Sequence, residues 1–227
     1  MRTRSLTPEI LDTTEIGATT LAAVLQDLAT VNTLTRARAP TLHFLRRIAR
    51  THPGPLRVLD VGFGDGDMLR RIARWGARTG TPLALQGIDL NPGAAPTAQA
   101  RSAGYAITYR TGDVFDEPPG QHDVILSSLF THHLTDPQIV RFLQWMDASA
   151  TAGWFINDLH RHILARDGFA LLSAVARFHA IVQADGRLSV ERSFRRTDWV
   201  RLLGEAGVHA RITWHMPFRY CVASCRR

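Results

Sequence analysis

Two short stretches hold the side chains best suited to moving protons. "SSLFTHHL" carries His132 and His133, and "NDLHRH" carries Asp158, His160 and His162. Imidazole changes charge nearest neutral pH, and a neighbouring carboxylate can orient it. The set therefore suits an oxygen nucleophile that must lose a proton to a histidine or carboxylate before it reacts. His132, His133, Asp158 and His160 are also metal-ligand types. A histidine-rich set makes a poor magnesium site, so no metal is expected.

A third stretch, "LDVGFGDGD" from Leu59 to Asp67, spaces Gly62, Gly64 and Gly66 two apart. A triphosphate loop needs GxxxxGK[ST], and the sequence contains no lysine. A dinucleotide turn needs GxGxxG, and Asp67 stands where its third glycine belongs. Asp60, Asp65 and Asp67 crowd the turn, whereas a phosphate site wants bare amides at a helix N-terminus. The turn suits a cationic ligand, an ammonium or a sulfonium. Asp60 is expected to organise that site, and Asp65 and Asp67 to be solvated acids of the first helical turn.

These residues need a frame, and the chain supplies a regular one. "LRVLDV" is a short apolar run of the kind buried on both faces of a sheet. "GDMLRRIARWGARTG" follows as a helix with Met68, Leu69, Ile72 and Ala73 on its apolar side and Arg70, Arg71, Arg74 and Arg78 on the wet one. "PLALQGIDL" is a strand, "GAAPTAQARSAG" a helix weakened by Pro96, "YAITYRTGDV" a strand and turn, and "HDVILSSLF" a strand. "DPQIVRFLQWMDASA" is a helix with Asp136 as N-cap and Pro137 in first place, and "AGWFIND" is a fifth strand. Strands alternating with helices predict a doubly wound, mostly parallel α/β sheet. The histidine stretches and the glycine turn then share its carboxyl edge, where open sheets bind ligands.

The rhythm breaks on either side of this frame. Residues 1–52 predict a helical cap, closed by the loop signal "HPGP", and residues 53–227 the sheet domain. Residues 160–190 predict a helical lid, with a single long helix over 160–184. "RTDWVRLLGEAGV" is a helix capped by Thr197, and two strands around Pro217 form an antiparallel hairpin, giving seven strands. Phe169, Leu171, Leu172, Val175, Phe178 and Ile181 of the lid are expected to wall an apolar pocket, with Phe44 on its other side.

Composition narrows the class. Of 227 residues 45% are apolar and 21% charged, as in ordinary globular proteins. No run approaches the ~18 apolar residues of a membrane span, and no secretory signal is read at the start, so a cytoplasmic location is expected. The net charge of +7 invites nucleic acid, yet all 27 positive residues are arginine and they are spread along the chain, so nucleic acid is not the expected partner. Cys221 and Cys225 would lie ~13 Å apart on a strand, too far to bridge.

"LDVGFGDG" matches the D-x-G-x-G-x-G first motif of class I S-adenosylmethionine-dependent methyltransferases, and the later motifs appear in order over roughly residues 55–225. The resemblance implies a Rossmann-like seven-stranded fold and S-adenosylmethionine as cofactor. Its contacts would be Asp60, Gly62, Phe63, Gly64 and Gly66 at the turn, Asp89 and Leu90 of "IDLNP" at the ribose, Asp113 and Val114 of "TGDVFD" at the adenine, and Ser127 and Ser128 near the methionine end. His132, His133 and Asp158 resemble the catalytic histidines and aspartate of small-molecule O-methyltransferases, including those of bacterial phenolic-lipid and secondary-metabolite pathways. The implied acceptor is small, largely apolar and phenolic, touched by His160, His162, Phe169 and Phe178. RNA or protein methylation, and cofactor binding without catalysis, are the alternatives. Homodimerisation stays open.

Overall fold

The computed structural model describes residues 1–14 and 16–226. Seven strands form one sheet in the order β3-β2-β1-β4-β5-β7-β6. The strands are β1 Leu56–Val61, β2 Leu83–Asp89, β3 Ile107–Thr111, β4 His122–Ser128, β5 Ala150–Leu159, β6 Arg211–His215 and β7 Arg219–Cys225. The first five are parallel, and β7 runs antiparallel to both β5 and β6. The order reverses between β1 and β4, so the crevice at that reversal opens over the glycine turn and the end of β4.

Each expected helix of the alternation forms: α4 Asp67–Thr79, α5 Ala94–Arg101, α6 Asp136–Ser149 and α9 Arg196–Ala206. One face of the sheet is covered by α6 and α9, with Leu59, Ile125, Ile156 and Trp199 in the core. The other face is covered by α3 (Ala39–Ala49), α4 and α5, with Val58, Leu69, Val124 and Leu126. Burial on both faces is why β1 and β4 read as unbroken apolar runs. The helix ends differ from expectation in detail. Thr135, not Asp136, caps α6, with Gln138 reaching back to its N–H. Arg195, not Thr197, precedes α9, and the Asp198 carboxylate accepts from the Arg195 N–H at 2.6 Å. A carboxylate three residues into a helix can close the cap on any residue's backbone, so the cap need not be a hydroxyl.

The expected single lid helix is two, α7 Ile163–Val175 and α8 Ala180–Arg192. Arg177 turns the chain with φ +54, and His179 caps α8 by accepting from the Ile181 N–H. The His179 N–H donates to Asp27 on α2 (Ala18–Leu34) at 2.7 Å, fastening the break to the N-terminal helices. The turn also sends Phe178 into a small separate core with Val24 and Val182 rather than toward a ligand. Phe44 is likewise internal, stacked on Phe155 at 4.8 Å. Cys221 is buried and Cys225 exposed, both unbridged.

Candidate active site

The glycine turn links β1 to α4 and takes positive φ at all three glycines. A Cβ at Gly62 would sit 2.5 Å from the Phe130 ring, and one at Gly66 would strike the Tyr109 hydroxyl. Only glycine accepts both the backbone and the crowding there. Beneath the turn Asp60 is 2% exposed and makes no side-chain hydrogen bond among the described residues. Burial first, then Asp89 and Asp67, raises its carboxyl to about 8. A cationic ligand would restore the charged form.

Asp60 faces a small polar pocket of about 90 Å³ with Arg38, Asp65, Asp67, Ser128 and Asn157 in its wall. Arg38 comes from the start of α3, pairs with Asp67 and donates to Thr33 Oγ1 at 2.9 Å. Asp65 pairs with Arg70 at 3.1 Å and Arg101 at 2.8 Å. The two acids expected to be solvated are thus neutralised by arginines, one from a segment the motif reading did not include.

The residues expected at the nucleoside follow the ends of the neighbouring strands β2 and β3. Asp89 Oδ2 accepts from the Gly64 N–H at 3.0 Å and Oδ1 from the Asn91 N–H at 2.9 Å, which ties β2 to the turn. Beside it Leu90 is 66% exposed, a large apolar side chain with no cover. Asp113 caps a short turn by accepting from the Phe115 N–H, and Val114 is buried next to it. Of the serines, Ser128 lines the pocket, whereas Ser127 points into the core with its hydroxyl unpaired. Successive residues of a strand face opposite ways, so the two hydroxyls lie on opposite sides of the sheet.

Sharing a wall with the polar pocket (Gly62, Phe63, Ser128 and Leu129 line both) is a cavity of about 550 Å³. Leu25, Leu28 and Val31 of α2, Phe169 and Leu172 of α7 and Val182 of α8 make it largely apolar. Leu171 and Val175 face outward and are exposed. His160 and His162 do not line the cavity. The former accepts from the Trp214 indole at 3.3 Å, and the latter caps α7 and stacks on Phe218.

His132 and His133 do line it, on the short turn after β4. Asp158, fully buried at the end of β5, accepts four hydrogen bonds: from Thr131 Oγ1 at 2.5 Å, the His132 N–H at 3.0 Å, His132 Nδ1 at 2.7 Å and the Leu159 N–H at 2.7 Å. Burial alone would raise its carboxyl; attraction to His132 and these hydrogen bonds bring it down to about 2. The Nδ1 of His132 is committed, and its Nε2 is left for the cavity.

Two further residues of the cavity, Glu9 and Arg219, and one behind its wall, Asp12, carried no signal in the sequence. Glu9 reaches it from the N-terminal segment, with Oε1 accepting from Ser189 Oγ at 2.8 Å and standing 3.6 Å from His132 Nε2. Burial first raises its carboxyl, to about 6. Asp12, one turn on, pairs with His133 Nδ1 at 2.9 Å. Arg219 on β7 is 2% exposed; Nη2 donates to Thr35 Oγ1 at 3.3 Å, while Nε and Nη1 have no partner among the described residues. The segment carrying Glu9 runs into the short helix α1 (Ile10–Thr13) and is held as a strap: Asp185 accepts from the Ile10 and Leu11 N–H groups, and Arg192 donates to Thr7 O and to His133 O.

The sheet order is that of the Rossmann-like fold implied by the motifs, and solved methyltransferases share this fold. Residues 58–153 match the family described as a methyltransferase domain. Among solved structures the chain resembles the plantazolicin methyltransferase BpumL in complex with a monoazolic desmethylPZN analog and SAH, with 16% identity, 88% of each chain covered and a TM-score of 0.63. It resembles the magnesium protoporphyrin IX methyltransferase of Synechocystis PCC 6803 with bound SAH, with 15% identity over 94% of this chain and 90% of that one and a TM-score of 0.55. The methyltransferase domain of the citrinin polyketide synthase matches at 14% identity and a TM-score of 0.57, over 79% of this chain; the match spans about half, 49%, of that chain. No curated protein matches the sequence. No helix of the described residues is long and apolar enough to cross a membrane.

Proposed function

We propose that the protein transfers a methyl group from S-adenosylmethionine to a hydroxyl of a small, largely apolar, phenolic acceptor held under the lid. The observation that carries this reading is the shared wall between a polar pocket with unpaired acid and an apolar cavity floored by histidines. The donor fits the first of these. Asp60 would hold its ammonium, Arg38 its carboxylate and Asp89 its ribose hydroxyls, and the uncovered Leu90 with Val114 and Asp113 offers a place for its adenine. When bound, the donor supplies an electrophilic methyl on sulfonium sulfur.

The chain's own part is positioning and proton removal. Holding the acceptor oxygen in line with that methyl contributes ~7–11 kcal/mol in well-oriented systems. The oxygen loses its proton at the His132–His133 cluster, where Asp158 fixes the orientation of His132. Arg219 favours an acceptor that also carries an oxygen-rich or anionic group, because an unpaired buried guanidinium is otherwise costly. A cavity walled by lid and strap favours a small molecule over RNA or protein.

The test is a panel of phenols incubated with S-adenosylmethionine and read as a mass gain of one methyl. His132→Ala is expected to bind S-adenosylhomocysteine unchanged by calorimetry and to lose ~10²–10⁴-fold in turnover. Undiminished turnover in His132→Ala, or no methylated product from any phenol, removes the reading.

A further inference from the structure

We propose that Glu9, His132 and His133 hold a divalent transition-metal ion in the acceptor cavity. Each of the three can place one ligand atom within 4.8 Å of the others, and all three line the cavity. The expectation of no metal considered Asp158 and His160 as ligands beside the histidines. Asp158 lies behind His132 instead of beside it, His160 faces Trp214, and a carboxylate from a distant segment takes the third place.

Second-sphere geometry points the same way. A histidine that ligates a metal almost always gives its other ring nitrogen to a carboxylate or carbonyl, which fixes the tautomer and the ring plane. Here both histidines do so with separate carboxylates. Nδ1 of His132 is 2.7 Å from Asp158, and Nδ1 of His133 is 2.9 Å from Asp12. The nitrogen left on each ring is Nε2. Backing both rings by acids is more than a single general base requires, since one oriented imidazole suffices for that task.

The spacing to Glu9 also fits. At 3.6 Å, Oε1 of Glu9 and Nε2 of His132 are too far apart for a good hydrogen bond. Two ligands each ~2.0–2.1 Å from one ion at a near-tetrahedral angle stand ~3.4 Å apart. Ser189 is the one hydrogen-bond donor to this buried carboxylate among the described residues, and Arg192 Nε is 4.0 Å away. A cation between Glu9 and the rings would supply the missing partner.

Two imidazoles and one carboxylate form an N/O set suited to zinc, iron or cobalt. Three protein ligands leave a position open, as catalytic sites do, and here it opens on the acceptor cavity. The ion would hold the acceptor's hydroxyl oxygen and ease release of its proton to solvent. This rests on reading the cavity as the acceptor site, and it makes the histidines ligands in the step that removes the proton.

The experiment uses the full chain, stripped with a chelator and titrated with Zn²⁺ by calorimetry and with Co²⁺ by visible absorption. One ion per chain is expected, with the cobalt spectrum of a four- or five-coordinate N/O site. Glu9→Gln and His133→Ala should each weaken Zn²⁺ at least ~10-fold, and Asp12→Asn ~10–100-fold through the ring it holds. Circular dichroism and S-adenosylhomocysteine affinity, both expected to be unchanged, separate lost ligation from lost folding. No stoichiometric ion, or binding indifferent to Glu9→Gln and His133→Ala, overturns the metal and leaves His132 to act directly as base. Tight metal binding with no methyl transfer to any phenol would instead count against the proposed function alone.

Discussion

Asp60 and Asp158 are both buried aspartates at the carboxyl ends of parallel strands, β1 and β5, and they are opposites. Asp60 has no side-chain hydrogen bond among the described residues and is pushed up to about 8 by burial, Asp89 and Asp67. Asp158 accepts four hydrogen bonds and is brought down to about 2 in spite of its burial. The first is a carboxyl that the described residues leave without a hydrogen-bond partner. The second is satisfied by the protein itself and holds the Thr131 hydroxyl and the His132 ring in place. Burial raises both carboxyls; around Asp158 the imidazole and the hydrogen bonds outweigh it, and around Asp60 nothing does.

The largest effect expected from breaking this contrast is in Asp158→Ala. It strands the Thr131 hydroxyl, two backbone N–H groups and the His132 ring, and should destabilise the fold by about 3–5 kcal/mol, read as a lower denaturant midpoint. A variant as stable as the parent would mean that Asp158 is no keystone. Next comes Asp60→Asn, which should weaken S-adenosylhomocysteine ~10–100-fold while leaving the unliganded protein at least as stable. Sharper still is the pH response. The folded value of Asp60 lies above its usual 3.8, so the stability it contributes is complete below that value and drains away as pH rises to about 8. Melting curves of the parent minus those of Asp60→Asn should fall over that window and then level; a flat difference contradicts the raised value.

Smaller effects separate the acceptor side from the donor side. Arg219→Met should raise KM ~10-fold for acceptors with a second oxygen-rich group and leave S-adenosylhomocysteine affinity alone. An equal loss for simple phenols would contradict its place in recognition. Asp27→Ala removes the hydrogen bond that fastens the break between α7 and α8. It should cost about 1 kcal/mol and loosen the lid, seen as faster amide exchange at residues 176–182.

The same division explains what could be read from the sequence. The donor side is local: a strand, its turn and the acid at the end of the next strand follow one another, so Asp60, Gly62, Asp89 and Asp113 stand out by spacing. The strands were legible because burial on both faces makes them unbroken apolar runs, and α4 because arginines mark its wet side. The acceptor side is assembled from far apart. His133 and Asp12 are separated by 121 residues, and Glu9 meets His132 only because Asp185 and Arg192 pin the strap across the cavity. No periodicity announces such a pairing. The break at Arg177 was hidden for a related reason, since a helical pattern running through it looks continuous until tertiary contacts with α2 turn Phe178 inward.

The strap has an evolutionary consequence. Its two acids, Glu9 and Asp12, sit on a single turn outside the sheet, attached by hydrogen bonds to backbone groups that other sequences could make equally well. Exchanging that segment would change the acids beside His132 and His133 while the glycine turn and the strand ends stayed untouched. Under the proposed function, the scaffold would acquire new acceptors by changes at its periphery.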